Sequence, residues 1–324
     1  MKKYLLIIII LISVFVLGCG QAKVRSPVSG VRSEKEKDKK KPSDKPLGIR
    51  FQKTADAIKM MHSKLEFPKH FENKDAKKKG GEFDVMQYFT VFKHIKMQDG
   101  YILDYVYHYS IMGGSPELYA RKKDKPPFKT ASEYTKFIEA HPRFEESQKW
   151  NESTKKHENT NDLDKLKEII AIFEYYSIGH LYLENIQIDR TEEGYLEFIT
   201  LRLLGEQFYL VWHDLYNDKK IIADEAVLKK VCEETGQRIS GCLGNYSDQL
   251  EGETRSDYFY RKVKSHGYAP EVRIGKEKVT VSIVTFTKWR GFSRDIYTIK
   301  KDFPHRILRK DSTTIAHYHC GITY

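Results

Sequence analysis

The chain has 324 residues, of which 40% are hydrophobic and 13% aromatic, and its formal net charge is +11. That apolar content excludes a wholly disordered chain, because there is enough surface to bury to offset the entropy of ordering. The positive excess is not a nucleic-acid footprint: much of it lies in charge-mixed stretches and in Lys74, Lys77, Lys78 and Lys79, and no predicted helix carries a basic stripe.

Met1-Lys2-Lys3-Tyr4 is a short basic opening, and Leu5 to Leu17 is apolar except for Ser13. This run is shorter than the roughly 20 apolar residues that cross a hydrocarbon core, and it fits the apolar region of a secretory signal. It ends Val16-Leu17-Gly18-Cys19, an aliphatic residue, a variable one, a small one and a cysteine. This segment resembles the lipobox of bacterial lipoproteins, although leucine is the commoner residue where Val16 stands. The resemblance covers only the first twenty residues or so. It implies a diacylglycerol thioether on Cys19, cleavage before that residue, acylation of the new amino group, and residence at the cell envelope. Gly20 after the cysteine, rather than aspartate, implies outer-membrane sorting in a cell that has an outer membrane. One acyl chain binds a bilayer only marginally, whereas two or three hold firmly, each buried methylene contributing about 0.8 kcal/mol.

Residues 19 to 48 are charged and proline-dotted, with RSEKEKDKKKPSDKP at residues 32 to 46, and are expected to form a disordered spacer. Glu34, Glu36, Asp38 and Asp44 interleave with the lysines and weaken a polybasic reading. The domain plan is therefore a signal at 1–18, a tether at 19–48 and a globular unit at 49–324, with a possible internal boundary near 150–160.

Ile49, Ala55, Ile58, Met61 and Leu65 have helical spacing, and residues 77–81 read as a loop. Asp99-Gly100 signals a hairpin between 83–97 and a strand at 101–110. Gly113-Gly114-Ser115-Pro116 should break that strand, with extended structure resuming at 117–121. Ser132 caps a helix ending near His141-Pro142, 150–161 reads as a polar loop, and 163–176 as an amphipathic helix. Runs 180–190, 195–204 and 207–213 alternate with turns and predict an antiparallel meander. Asp224 starts a helix through Cys232. Runs 257–263, 278–287, 293–300 and 313–323 read as strands. Helices in the middle and strands at both ends predict an α+β fold with antiparallel, β-rich sheet, not alternating βαβ units.

Several groups are candidates for chemistry. On strand YILDYVYHY, Tyr101, Leu103, Tyr105, Tyr107 and Tyr109 share one face, and Ile102, Asp104, Val106 and His108 the other. The tyrosines Tyr101, Tyr105, Tyr107 and Tyr109 are a candidate glycan- or peptide-binding platform, weighed against burial under helices. Ser115 lacks the second glycine of a Gly-x-Ser-x-Gly elbow, so a turn with positive φ is the expected reading there. His213, Asp214 and Asp218 sit where a strand should end and form a candidate acid–base centre, although neighbours on an extended strand point apart. His317 and His319 share a strand face and are a candidate metal pair with no third ligand nearby. Cys232 and Cys242 are a candidate disulfide, with Cys320 as an alternative partner for either.

No phosphate-cradling loop, dinucleotide fingerprint or calcium loop is present, so no cofactor is expected. The expected partners are membrane lipid through Cys19 and an envelope protein or glycan, with no nucleic acid. These readings favour a lipid-anchored, non-enzymatic binding module; the alternative is an exported hydrolase centred on His213, Asp214 and Asp218.

Overall fold

A computed structural model describes residues 46–318 apart from 156–167, 170, 174, 176, 178 and 237–247. The fold is α+β with antiparallel sheets, as the order of elements predicted. Helix α1 (Leu47–Ser63) follows Pro46 and buries Phe51, Gln52, Ala55 and Ile58, a stripe of the kind its spacing announced.

The strand at 101–110 (β2) is present, but its hairpin partner is not the one expected. Asp99-Gly100 does turn, yet the short strand before it, β1 (Ile95–Met97), pairs with β4 (Ile186–Ile188). Strand β2 instead pairs along its whole length with β3 (Gly113–Lys122), from Tyr101 opposite Lys122 to Ser110 opposite Gly113. The Gly113–Pro116 segment is therefore the start of a strand and not a break. Gly113 has φ +146, and an added Cβ would lie 2.8 Å from the Val211 carbonyl oxygen, so glycine is needed where β5 (Val211–Trp212) joins this sheet.

Helices α2 (Ala131–Glu139) and α3 (Pro142–Lys155) follow. The Thr130 hydroxyl, two positions before the expected cap Ser132, caps α2 by accepting from Glu133 N at 3.2 Å. The expected polar loop at 150–161 is helical as far as 155, and residues 168, 169, 171–173 and 175 are helical as predicted.

The expected meander at 180–213 is mostly absent. Residues 195–204 belong to helix α4 (Glu192–Leu204), where Thr191 Oγ1 accepts from Gly194 N at 3.0 Å and Glu192 and Glu193 occupy the first turn. Ten of its 13 residues are buried, so no polar stripe marks a helical period. The same correction applies at 257–263, which lies in helix α6 (Arg255–His266) capped by Thr254. Helix α5 (Glu225–Gly236) starts where Asp224 implied.

The last sheet has order β10–β9–β8–β6 with β7 also against β8. Its strands are β6 (Lys220–Ile222), β7 (Glu271–Ile274), β8 (Lys278–Thr287), β9 (Gly291–Lys300) and β10 (Ile307–Ala316). Period-two alternation divides β8 between two cores: Val279, Val281 and Ile283 join the cluster that holds α1 and α4, while Val284 and Phe286 join Phe259 and Phe292 under α5 and α6. Among the described residues no helix is long and apolar enough to cross a membrane.

The main cluster also takes one face of β2. Phe71, fully buried in the turn Lys69–Glu72, stacks on Tyr107 with ring centroids 4.5 Å apart and planes 11° from parallel. Phe71→Ala should cost about 3–5 kcal/mol of unfolding free energy. Urea titration would show this as a lowered midpoint at unchanged slope; an unchanged midpoint would remove Phe71 from the core.

Candidate functional site

The β2–β3 register brings chemistry together near the turn end of the hairpin. His108 lies directly opposite Ser115, and Glu117 is two positions further along β3, so the three share a face. His108 Nε2 is 2.7 Å from Glu117 Oε2. Burial works against a charged imidazole, but the bond to Glu117 and the nearby carboxylates of Glu206 and Asp75 outweigh it, and the His108 pKa is raised. Asp75 is itself held by Ser132 N at 2.7 Å.

A cleft of about 710 Å³ opens over this face. Its aromatic wall comes from Tyr134 of α2, Phe144 and Trp150 of α3, and Phe173. Its polar floor holds His108, Glu117, His180 and Glu206. Glu206, just past α4, accepts from Leu118 N at 2.9 Å, which fixes it beside β3. His180 Nε2 stands 4.0 Å from Glu206 Oε2, and its Nδ1 is 3.3 Å from Ser177 Oγ. Burial pushes the Glu206 carboxyl up to about 7, with Glu117 adding to the shift and Arg202 opposing it. Two carboxylates in one cleft thus have opposite surroundings: Glu117 beside an imidazole and Glu206 in a poorly hydrated corner. Raised to about 7, Glu206 can hold its proton near neutral pH. A second cleft of about 430 Å³ lies apart from this one, beside the His94–Asp189 pair, whose Nδ1 to Oδ2 distance is 2.7 Å.

The tyrosine platform is corrected by burial. Tyr105 and Tyr107 are core side chains, 0% and 2% exposed, because β2 is covered on this face by the Phe67–Phe71 segment and by Phe208 and Tyr209. Tyr101 packs partly buried against the same cluster, and of the four only Tyr109 lines the cleft.

His213, Asp214 and Asp218 do not converge. The His213 ring stacks between Trp212 at 4.6 Å and Trp289 at 6.3 Å, while Asp218 pairs with Lys59 of α1. Asp214 alone lines the cleft; burial raises its carboxyl, and His213 partly opposes that. Ser115 is in the cleft as a strand residue.

His317 is exposed just beyond β10, which ends at Ala316 rather than running to 323, and His319 lies outside the described residues. Among the described residues no three His, Cys, Asp or Glu side chains are placed to share a metal ion. Cys232 is buried inside α5, and burial pushes its thiol pKa up to about 12, while its expected partner Cys242 lies outside the described residues. Cys19, Cys242 and Cys320 lie outside the described residues, as do the signal and residues 19–45 of the expected tether, whose last two residues, Leu47 and Gly48, already belong to α1.

The sequence reading missed Glu117, His180 and Glu206. A signal existed for Glu117: it is on the same alternation as Ser115, and the alternation of β2 had already put His108 on the non-tyrosine face. His180 and Glu206 come from a turn and a helix end that had been read as strand boundaries, and nothing local in them announces a cleft.

No family model matches the chain, and no curated protein or solved structure matches it either.

A raised carboxyl in the fold makes stability depend on pH with a definite sign. The folded state keeps its proton where the unfolded chain has lost it, so the Glu206 contribution is full below pH 4.5 and fades as pH rises to about 7. Glu206→Gln retains an acceptor for Leu118 N and removes the titration. The fall in urea midpoint between pH 5 and pH 7.5 should therefore be smaller in Glu206→Gln than in wild type; equal slopes would show that Glu206 titrates normally.

Proposed function

We propose that this protein is a lipid-anchored ligand-binding protein of the cell envelope, tethered through Cys19, whose binding site is the cleft between the β2–β3 hairpin, α2 and α3. One observation carries the binding part: an aromatic wall faces a floor with two histidine–carboxylate pairs, His108–Glu117 and His180–Glu206. Flat rings that stack and planar polar groups that both donate and accept suit a sugar ring, and this favours an envelope glycan over an apolar ligand. The anchor part is supported by Val16-Leu17-Gly18-Cys19 and by the scarcity of large apolar residues in the charged stretch that follows it.

Each part has its own test. Mass spectrometry of the amino-terminal peptide of detergent-extracted protein should find acylated Cys19 as the first residue; an unmodified or different terminus would refute the anchor. Soluble peptidoglycan fragments titrated against the protein should change the emission of Trp150 in a saturable way. Trp150→Ala and Glu117→Ala should each weaken that binding by about tenfold or more, on the order of 1.4 kcal/mol. Binding that survives both substitutions unchanged would move the site elsewhere.

A second reading is favoured by one specific observation, two carboxyls in the same cleft, Glu117 paired with His108 and Glu206 pushed up to about 7 by burial. That pattern suits glycosidic hydrolysis, with Glu206 as the acid and Glu117 as the second carboxyl. It relocates the hydrolase alternative from His213, Asp214 and Asp218 to the hairpin. Release of reducing ends from the same fragments by wild type, lost in Glu206→Gln with binding retained, would select hydrolysis over binding alone.

A further inference from the structure

The turn between β2 and β3 is made of Ile111 and Met112, between paired Ser110 and Gly113. Two-residue hairpin turns ordinarily take Gly, Asn or Asp. Here Ile111 is 84% exposed and Met112 43%, so neither side chain contributes to the core. Trp212, opposite Gly113 across the β3–β5 ladder, is 56% exposed, and Leu215, in the turn His213–Asn217 that packs on β3, is 48% exposed. Trp212 also has φ 51 and ψ −114, a conformation that residues with a Cβ avoid. Apolar residues at a turn and a disfavoured backbone carrying an exposed tryptophan are two independent departures from what the fold needs, and they coincide in space. Departures of this kind gather at functional positions.

A basic side chain stands beside this tip. The turn between β8 and β9 touches this tip: Trp289 N donates to the Tyr216 carbonyl at 3.3 Å, and Lys288 Nζ is 5.7 Å from the Tyr216 ring. We infer that this tip is a membrane-docking surface, which seats Ile111, Met112 and Trp212 in the interfacial layer of an anionic bilayer while Lys288 faces the headgroups. Tryptophan prefers that layer, and basic side chains are drawn to anionic lipid. A convex tip of four side chains is small against the roughly 800 Å² that each partner of a stable protein interface covers. The bilayer is also within reach: about 27 residues separate Cys19 from Pro46, at most about 90 Å of extended chain. The nearness of the bilayer rests on the anchored reading above; the tip itself does not. Because Ser110, Gly113, Gly114 and Asp214 line the cleft as well, docking turns the mouth of the cleft towards the membrane.

The test uses the full chain, purified from membranes and reconstituted in phosphatidylcholine–phosphatidylglycerol vesicles with brominated acyl chains. With Trp150→Phe and Trp289→Phe, Trp212 is the sole tryptophan. Its emission should shift to the blue and fall roughly twofold against unbrominated vesicles, with a weaker effect when phosphatidylglycerol is left out. Ile111→Ser with Met112→Ser, two exposed positions that leave the core intact, should abolish that quenching in the same single-tryptophan chain. Trp212 emission that stays water-like and unquenched overturns docking. Emission unquenched by bromine yet shielded from acrylamide in native envelopes overturns it in favour of a protein partner. The two readings separate cleanly: an acylated Cys19 with unquenched Trp212 ends docking alone, and a quenched Trp212 on a chain without acyl groups ends the anchor alone.

Discussion

Everything at the candidate site depends on one pairing, the ten-residue ladder between β2 and β3 that closes at Ser110 and Gly113. Side chains alternate strictly along a strand, so a slip of one residue would turn Tyr105 and Tyr107 out of the core and His108 and Glu117 into it. Burial opposes that slip from both sides. Leu103, Tyr105, Tyr107 and Leu118 belong to the main core, while Val106 and Tyr119 pack against Ala131, Tyr134 and Ile138 of α2. A hairpin covered on both faces has its register set by packing and not by its turn, which leaves the turn residues free for Ile111 and Met112.

The ladder also carries its own buried charge. Asp104 accepts from Arg121 Nε at 2.9 Å and pairs with Lys78, whose ammonium lies 4.1 Å above the Tyr105 ring. Burial opposes ionisation of Asp104, but these two cations and the Tyr105 N–H overcome it and its carboxyl is lowered. The Lys77–Lys79 run is thus partly structural: one of its members is fastened to β2, and Glu82 accepts from Lys79 N and Gly80 N to close the loop around it. Glu197 does a similar task inside α4, where its carboxylate accepts from Lys93 N and His94 N and anchors β1 to the helix.

What could be read from residues alone followed the strength of local signals. Helix α1 shows its stripe, and β8 and β9 show their β-branched runs, so both were legible. Helix α4 was not, because a helix buried nearly all round loses the polar face that betrays its period. Helix α6 was missed since Tyr258, Phe259, Tyr260 and Val263 are residues that strands prefer, and only the Thr254 cap argued otherwise. The Asp99-Gly100 turn was found but its hairpin was not, because tertiary packing pairs β1 with β4, some ninety residues away. The site suffered the same limit. His108 was visible on its alternation, whereas Glu206 and His180 reach the cleft only through the placement of α4 and the segment before it. Long-range placement, which local pattern does not encode, decided which polar residues meet.

The account turns on His108 facing Glu117 across the hairpin, and the pH titration of its ring by NMR tests this most directly. With the pair formed, the His108 pKa lies above the ordinary 6.5 and drops when Glu117 is replaced by glutamine. A ring that titrates normally in wild type, or that ignores Glu117→Gln, would mean that the register, the cleft and the functions built on them are wrongly placed.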